Sequence, residues 1–220
     1  MRNDWTVKSK SDGLGGVEVF EPTTAKGRAT RDRIIEAACD LVFERGVASL
    51  NLDDVRQLTG TSKSQLYHYF RDKDDLIHAV VVRQGERVLA LHRPALEAVD
   101  GWTRLKRWRD LSVRLVRAVE CHGGCPVGSL ANELAELDEL SRLRLVEVFD
   151  EWQGMIVGAL NRMVAEGQLR RGTDVSKLAT ATIASLQGGL LLTKTRRSSQ
   201  PLEVALDSAI AYIRTFTPAA

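Results

Sequence analysis

Apolar residues recur every three or four positions along most of this chain, the spacing that places them on one face of an α-helix. Glycine or proline interrupts the pattern at positions 46, 60, 94, 123, 124, 167 and 201. No segment alternates apolar and polar residues as a half-buried strand would, and no internal repeat is present. The sequence therefore predicts an all-α protein of about nine helices.

The pattern divides the chain into three regions. Residues 1–25 contain several Gly and Ser and no sustained periodicity, so we expect a mostly disordered tail. Residues 26–75 predict a small helical domain, and residues 76–220 predict a larger one. We expect the first helix to run from Thr30 to Gly46.

A fourth helix, capped by Asp72 and carrying Asp75 in its first turn, is predicted to connect the two domains. Pro94 should stop this helix, because proline lacks the backbone N–H that a helix interior needs. The next helix begins near Trp102, and its inward stripe is predicted to comprise Leu105, Trp108, Leu111, Leu115 and Val119.

Residues 51–73 predict two short helices joined by a tight turn. Asn51 can cap the first of them, and Val55 and Leu58 are expected to form its apolar face. Gly60 then ends the helix, because glycine adopts the left-handed backbone conformation of a turn without strain.

Ser62 can cap the second short helix, in which Leu66 and Phe70 repeat at i and i+4 and should point inward. A helix-turn-helix uses such a pair to bind DNA: its second helix enters the major groove while its first crosses the phosphates. Similar helix pairs also occur in structural bundles, so spacing alone leaves both readings open. The residues predicted to contact double-stranded operator DNA are Arg28, Asn51, Leu52, Ser62, Lys63, Ser64, Gln65, Tyr67, His68, Tyr69 and Lys73.

Residues 26–82 resemble the N-terminal domain of the tetracycline-repressor (TetR) family of bacterial transcription regulators. The resemblance rests on IIEAACDLVFERG, on SKSQLYHYFRDKDDL and on the spacing between them. It implies a helix-turn-helix DNA-binding domain over residues 26–75 and a helical ligand-binding and dimerisation domain over residues 76–220. This chain departs from the family pattern at Ser64 and Gln65, where many members carry Gly followed by a small hydroxyl residue. The departure affects which bases the second helix would recognise.

That resemblance implies a homodimer that represses transcription from a pseudo-palindromic operator and is released by a small molecule. The block GCPVGSLANELAE, residues 124–136, is similar to one in a TetR subgroup that controls multidrug-efflux genes. An apolar pocket with few polar anchors would hold a small apolar or amphipathic effector. Aromatic and sulfur residues on helical stripes are most often plain core, but the candidates for such a pocket are Trp102, Trp108, Cys125, Phe149, Trp152 and Met155.

Residues 178–193 are apolar nearly all round and rich in small side chains, so their helix should be buried on more than one side. Paired with the last helix and with the same two helices of a second subunit, it would complete a four-helix interface. The predicted interface residues are Ala184, Gly188, Leu191, Ile210 and Ile213.

Composition and charge narrow the class of protein further. The chain has 220 residues, 44% of them hydrophobic, and a net charge of +2, so bulk charge says little about nucleic acid. We find no apolar run of about 18 residues and no signal peptide, so we expect a cytoplasmic protein that does not enter the membrane. The chain has three cysteines, a small and odd number, whereas a disulfide framework uses several pairs.

Cys121, His122 and Cys125, in the segment CHGGC, are the remaining candidates for chemistry. A structural zinc site needs four ligands, and no second ligand pair lies nearby, so no metal is expected. The two cysteines could instead pair reversibly, and a redox-sensing regulator is therefore the main alternative function. A thiol oxidoreductase is a weaker alternative, since CxxC and cofactor fingerprints are lacking; we expect neither an enzyme nor a cofactor.

Overall fold

The computed structural model describes residues 5–8 and 19–219 and confirms the predicted all-α class. Within those residues a two-stranded ribbon precedes nine helices. The elements are β1 (Trp5–Lys8), β2 (Val19–Pro22), α1 (Ala25–Arg45), α2 (Leu52–Thr59), α3 (Lys63–Tyr69), α4 (Lys73–Glu97), α5 (Trp102–Ala118), α6 (Pro126–Leu134), α7 (Glu139–Ala165), α8 (Val175–Arg196) and α9 (Gln200–Arg214). The described residues form two compact units, one ending at Arg83 and the other beginning at Gln84.

The ribbon differs from the prediction of a disordered tail at residues 5–8 and 19–22. Strands β1 and β2 pair antiparallel, with Trp5 opposite Pro22 and Lys8 opposite Val19. Both strands are short runs that include β-branched or aromatic residues, which favour extended backbone, and four residues are too few for periodicity to reveal. Residues 1–4, before β1, and residues 9–18, between β1 and β2, lie outside the described residues.

Helix α1 begins earlier than predicted. Its N-cap is Thr24, whose hydroxyl accepts a hydrogen bond from the Gly27 backbone N–H, whereas Thr30 lies within the helix and bonds the Lys26 carbonyl. Gly46 ends α1 as predicted, with a φ of 82° that glycine tolerates well. Threonine at either position suits a cap, so the sequence alone did not separate the two.

Helices α2 and α3 follow the predicted caps. Asn51 caps α2, Gly60 ends it in the left-handed conformation at a φ of 64°, and Ser62 caps α3. Leu66 and Phe70 are buried as predicted, but Leu58 is 65% exposed. Thr59 takes the inward place that was assigned to Leu58, because α2 buries positions four apart rather than three apart.

The first unit is built around the inward face of α1. The α1 side chains on this face are fully or nearly fully buried, and Val55 of α2 and Leu66 of α3 are buried too. Arg83 of α4 donates to Asp32 at 2.7 Å and to Glu36, which ties α4 to α1. The buried members of α1 are Ile34, Ile35, Ala38, Cys39, Leu41 and Val42.

Helix α4 does not stop at Pro94 as predicted but continues to Glu97. Proline removes only one hydrogen bond, and its position in the last turn leaves few later bonds to disturb. Arg162 of α7 then satisfies the end of the helix, donating to the Val99 carbonyl at 2.8 Å and to the Leu96 carbonyl at 2.7 Å. The free carbonyls of a helix end need such partners.

The inward stripe of α5 differs in part from the prediction. Leu105 and Trp108 are buried as expected, but Leu111 and Leu115 are only half-buried and Val119 is exposed. The helix buries Ser112, Val113 and Val116 instead. The predicted stripe took steps of three residues from Leu105 to Leu111. Because a helix has 3.6 residues per turn, two such steps in succession leave the buried face.

Helices α8 and α9 pack closely against each other. A Cβ at Gly189 would lie 3.0 Å from the backbone of Leu202, so glycine is what permits this approach. Among the described helices α8 is also long and apolar enough to cross a membrane by length and composition alone, a test that core helices pass as well. Only about a third of its most apolar stretch is buried within the chain.

Candidate nucleic-acid interface and effector site

The turn between α2 and α3 is held by side chains that the sequence assigned to DNA. The Ser62 hydroxyl accepts from the Gln65 N–H at 3.2 Å, and the Gln65 side-chain oxygen accepts from the Ser62 N–H at 2.9 Å. This reciprocal arrangement is a capping box. The Asn51 side chain likewise accepts from the Asp53 N–H at 2.9 Å. These residues therefore position the two helices, and Gln65 keeps only its NH₂ group for a base.

The exposed side of α3 borders a groove of about 550 Å³. Lys63 lies with its ammonium 5.9 Å from the centre of the Tyr67 ring, and Tyr67 is exposed. An extended phosphate backbone could follow such a groove, since lysine and tyrosine both bind phosphate oxygens. The groove is lined by Ala48, Ser49, Leu50, Asn51, Leu52, Asp53, Arg56, Lys63, Tyr67 and Lys73.

Charge at the groove comes mainly from Lys63 and Lys73. Arg71 is neutralised by Asp75, to which it donates at 2.7 and 2.6 Å, and these hydrogen bonds hold the pKa of Asp75 below its ordinary value. Arg56 similarly donates to Asp53 at 2.5 Å. The two lysines form no ion pair with any residue that the structure describes. Their charge is available to a polyanion.

The other predicted DNA contacts lie on α3 or at the start of α1. Ser64 and His68 are exposed on α3, and Tyr69 is half-buried with its ring 5.1 Å from that of His68. Arg28 of α1 donates to the Pro22 and Thr23 carbonyls at 3.2 and 2.7 Å, so part of its guanidinium holds the entry to α1. The structure thus brings five predicted contacts together at the groove: Asn51, Leu52, Lys63, Tyr67 and Lys73.

In the second unit, two of the predicted effector residues meet around His92, which the sequence did not single out. The Trp108 indole N–H donates to His92 Nδ1 at 3.1 Å, and the Trp152 ring centre lies 4.7 Å from that of His92. All three side chains are buried. Burial lowers the pKa of His92 to about 4, so the imidazole is neutral at physiological pH.

The indole N–H of Trp152 is buried and has no acceptor among the described residues. A buried donor without a partner costs about 1–3 kcal/mol, so proteins rarely retain one without a reason. His92 gave no signal in the sequence, because one histidine on a helix face is usually a satisfied core residue. Its two ring contacts come from residues distant in sequence.

The remaining predicted effector residues are only half-buried or have other polar contacts. Trp102 is half-buried beneath the guanidinium of Arg214, 4.9 Å from its ring centre. Phe149 and Met155 are half-buried on α7. Cys125 caps α6, its sulfur accepting from the Gly128 N–H at 3.3 Å and from Gln187 Nε2 at 3.5 Å.

Two of the three cysteines do not have the environment of reactive thiols. Cys39, Cys121 and Cys125 are all free and buried. Burial raises the pKa of Cys39 to about 12 and raises that of Cys125 above its ordinary value. The thiolate is the reactive form of cysteine, so both residues are poor sensors. The described residues contain no group of three potential metal ligands.

The predicted interface residues divide between surface and core. Ala184, Gly188 and Leu191 are exposed along one face of α8, where Leu191 is 55% exposed. Ile210 of α9 is half-buried, but Ile213 is 1% exposed. Its assignment to an interface is therefore corrected: Ile213 packs into the core of its own chain and has almost no surface left for a partner.

Two family models match the chain and together cover well over half of it. The model described as bacterial regulatory proteins, tetR family, matches residues 34–80, and the model described as tetracyclin repressor-like, C-terminal domain, matches residues 101–209. The matches span the helix-turn-helix and most of the second unit. The chain belongs to the TetR family of transcriptional regulators.

Relatives and solved structures agree with this assignment. An HTH-type transcriptional regulator of Mycobacterium tuberculosis is 29% identical over 79% of this chain and 89% of its own length. The HTH-type transcriptional repressor DhaR of a Mycobacterium species is 24% identical over 79% of this chain and 86% of its own. A TetR transcriptional regulator from Chloroflexus aurantiacus, solved as a crystal structure, has a TM-score of 0.73 and 26% identity, covering 90% of this chain and all of that one.

Proposed function

We propose that this regulator is a homodimeric repressor whose two α3 helices bind a pseudo-palindromic operator and whose second unit binds a small apolar or amphipathic effector. The observation that carries the proposal is the groove along α3, where Lys63 and Lys73 have no carboxylate partner among the described residues. As a chromosomal regulator it would work in the cytoplasm. The similarity of residues 124–136 to efflux regulators stays a prediction about target genes.

Dimerisation is supported by the exposed apolar faces of α8 and α9. Leu191 and Leu192 of α8 and Val204 of α9 are about half exposed in the single chain, at 55%, 46% and 57%. Exposed apolar surface of this kind marks an interaction site. A two-fold axis between protomers would place both α8–α9 pairs in one four-helix interface. Two recognition helices must lie about 34–36 Å apart to fill successive major grooves.

Release from DNA would follow from a shift between two dimer conformations. An effector that binds one conformation more tightly shifts the equilibrium towards it, at most by the ratio of its affinities for the two conformations. Helix α4 begins at Lys73, beside the DNA groove, and also carries His92. It is therefore the element through which an effector would change the spacing of the recognition helices. DhaR, a relative described as a repressor, supports repression over activation.

Lys63→Ala and Lys73→Ala should each weaken DNA binding at every sequence by a similar factor. Each lysine is expected to contact a phosphate, so each change should lower the slope of log affinity against log salt by about one. The operator can be obtained by selection from random duplexes and from the region upstream of the gene. Fluorescence anisotropy at several salt concentrations measures the slope.

Lys106→Ala, on the exposed side of α5, removes the same charge from the second unit and is the matched control. Its salt slope should equal that of the parent. If Lys63→Ala and Lys73→Ala keep the parental slope as the control does, the groove does not bind phosphates and the nucleic-acid interface lies elsewhere.

Gln65 should discriminate bases at one operator position through its NH₂ group. Gln65→Ala would relax that discrimination by about 1–3 kcal/mol but would also remove the capping box. Gln65→Glu keeps an acceptor for the Ser62 N–H and removes the donor, so it isolates base recognition from helix capping. Binding to operators with single base-pair changes measures the preference. An unchanged preference in Gln65→Glu would exclude Gln65 from base reading.

A further inference from the structure

The hydrogen bond between Trp108 and His92 fixes which nitrogen of His92 carries the proton. An indole N–H can only donate, so His92 Nδ1 must accept, at the observed 3.1 Å. Neutral imidazole has one N–H, and it must therefore lie on Nε2. No described residue accepts a hydrogen bond from this nitrogen.

A second donor without a partner lies beside the first. The Trp152 indole N–H is buried and unpaired among the described residues, and its ring centre is 4.7 Å from that of His92. Trp152 is 1% exposed and His92 is 6% exposed. The Trp152 N–H is thus a buried donor without an acceptor among the described residues, and together with the Nε2–H of the neighbouring His92 ring it would complement a molecule that brings an acceptor.

The charged residues next to His92 and Trp152 in the sequence pair with each other. Arg93, which follows His92, donates to Glu151, which precedes Trp152, at 2.5 Å. Arg93 also lies 3.8 Å from Glu97. His92 itself is neutral. An anionic group buried here would therefore lack a cation to offset its desolvation, whereas an uncharged acceptor oxygen would not need one.

We propose that the N–H groups of Trp152 and His92 hold an acceptor oxygen of the effector, and that the effector is an uncharged, mainly apolar carbonyl compound. This inference rests on the proposed function, because it names the chemistry of the ligand that the second unit would bind. The aromatic rings of His92, Trp108 and Trp152 would contact its apolar part.

The test uses three probes of nearly the same shape: acetophenone, α-methylstyrene, which replaces the carbonyl by an alkene, and benzoate, which replaces the methyl ketone by a carboxylate. We expect acetophenone to bind about tenfold more tightly than α-methylstyrene, because one hydrogen bond in a dry site distinguishes them. Benzoate should bind more weakly than acetophenone. Full-length protein labelled with ¹⁵N at the indole nitrogens reports the contact directly.

The indole proton of Trp152 should resonate upfield of the hydrogen-bonded one of Trp108 in the free protein and move downfield when acetophenone binds. Trp152→Phe keeps an aromatic ring and removes the donor, and should bring the ratio of the two affinities close to one. Trp102→Phe removes an indole that lies beneath Arg214, outside the His92 cluster, and should keep the ratio.

Equal binding of acetophenone and α-methylstyrene, a Trp152 proton that does not move, or failure of acetophenone to bind at millimolar concentration would each overturn the proposal. Tighter binding of benzoate would overturn the uncharged class. Operator binding by the free protein is measured separately. If the free protein does not bind an operator, the proposed regulatory function is contradicted. If it binds the operator but shows no preference for the ketone, only the assignment of Trp152 and His92 is contradicted.

Discussion

Ala184→Arg should convert the protein into monomers and weaken operator binding by about 10²- to 10⁴-fold, because the second half-site no longer binds as part of the same molecule. Ala184 is exposed in the single chain, so arginine there should not disturb the fold. Two-fold symmetry would place both new charges in the interface, and each unpaired buried charge costs about 3–5 kcal/mol.

Sedimentation velocity measures the oligomeric state, and circular dichroism establishes that the variant is folded. Thr103→Arg introduces the same side chain on the exposed surface of α5 and should leave the dimer and operator affinity unchanged. A folded Ala184→Arg protein that still sediments as a dimer would show that the interface lies away from this face of α8. The exposed leucines of α8 would then need another partner.

The local features of the DNA-binding unit were predictable because their causes lie within a few residues. Asn51, Ser62 and Asp72 cap helices as expected, since each bonds a backbone N–H two or three positions ahead. The start of α1 was missed because Thr24 and Thr30 are equally suited to a cap. Leu58 was misplaced because two turns of helix cannot separate a repeat of three from a repeat of four.

The effector site was harder to predict because its contacts join distant parts of the chain. Trp108 and Trp152 are predicted pocket residues, but the sequence contains nothing that connects either of them to His92. Only the packing of α4, α5 and α7 in the structure brings the three rings together. Ile213 shows the same limit, because apolar residues of α9 are found both in the core and on the exposed side, and only the packing of the helix decides which belong to the core.

Trp152→Ala should lower the free energy of unfolding by about 3–5 kcal/mol, the typical cost of removing a large buried aromatic side chain. Trp152 is 1% exposed, and the change would empty the space beside His92 while leaving that imidazole buried. Effector binding and operator binding would then fall together through unfolding, so this variant cannot test the pocket by itself. Urea denaturation followed by circular dichroism measures the loss.

Trp152→Phe separates the two roles of this side chain. It retains most of the buried aromatic surface, so its stability should lie much nearer to that of the parent, while the indole N–H is lost. If Trp152→Ala is instead as stable as the parent, the ring does not support the core, and the space around it must already be open to a ligand or to water. That result would place Trp152 in the wall of a preformed cavity, because only a side chain with few packing partners can be removed without such a loss.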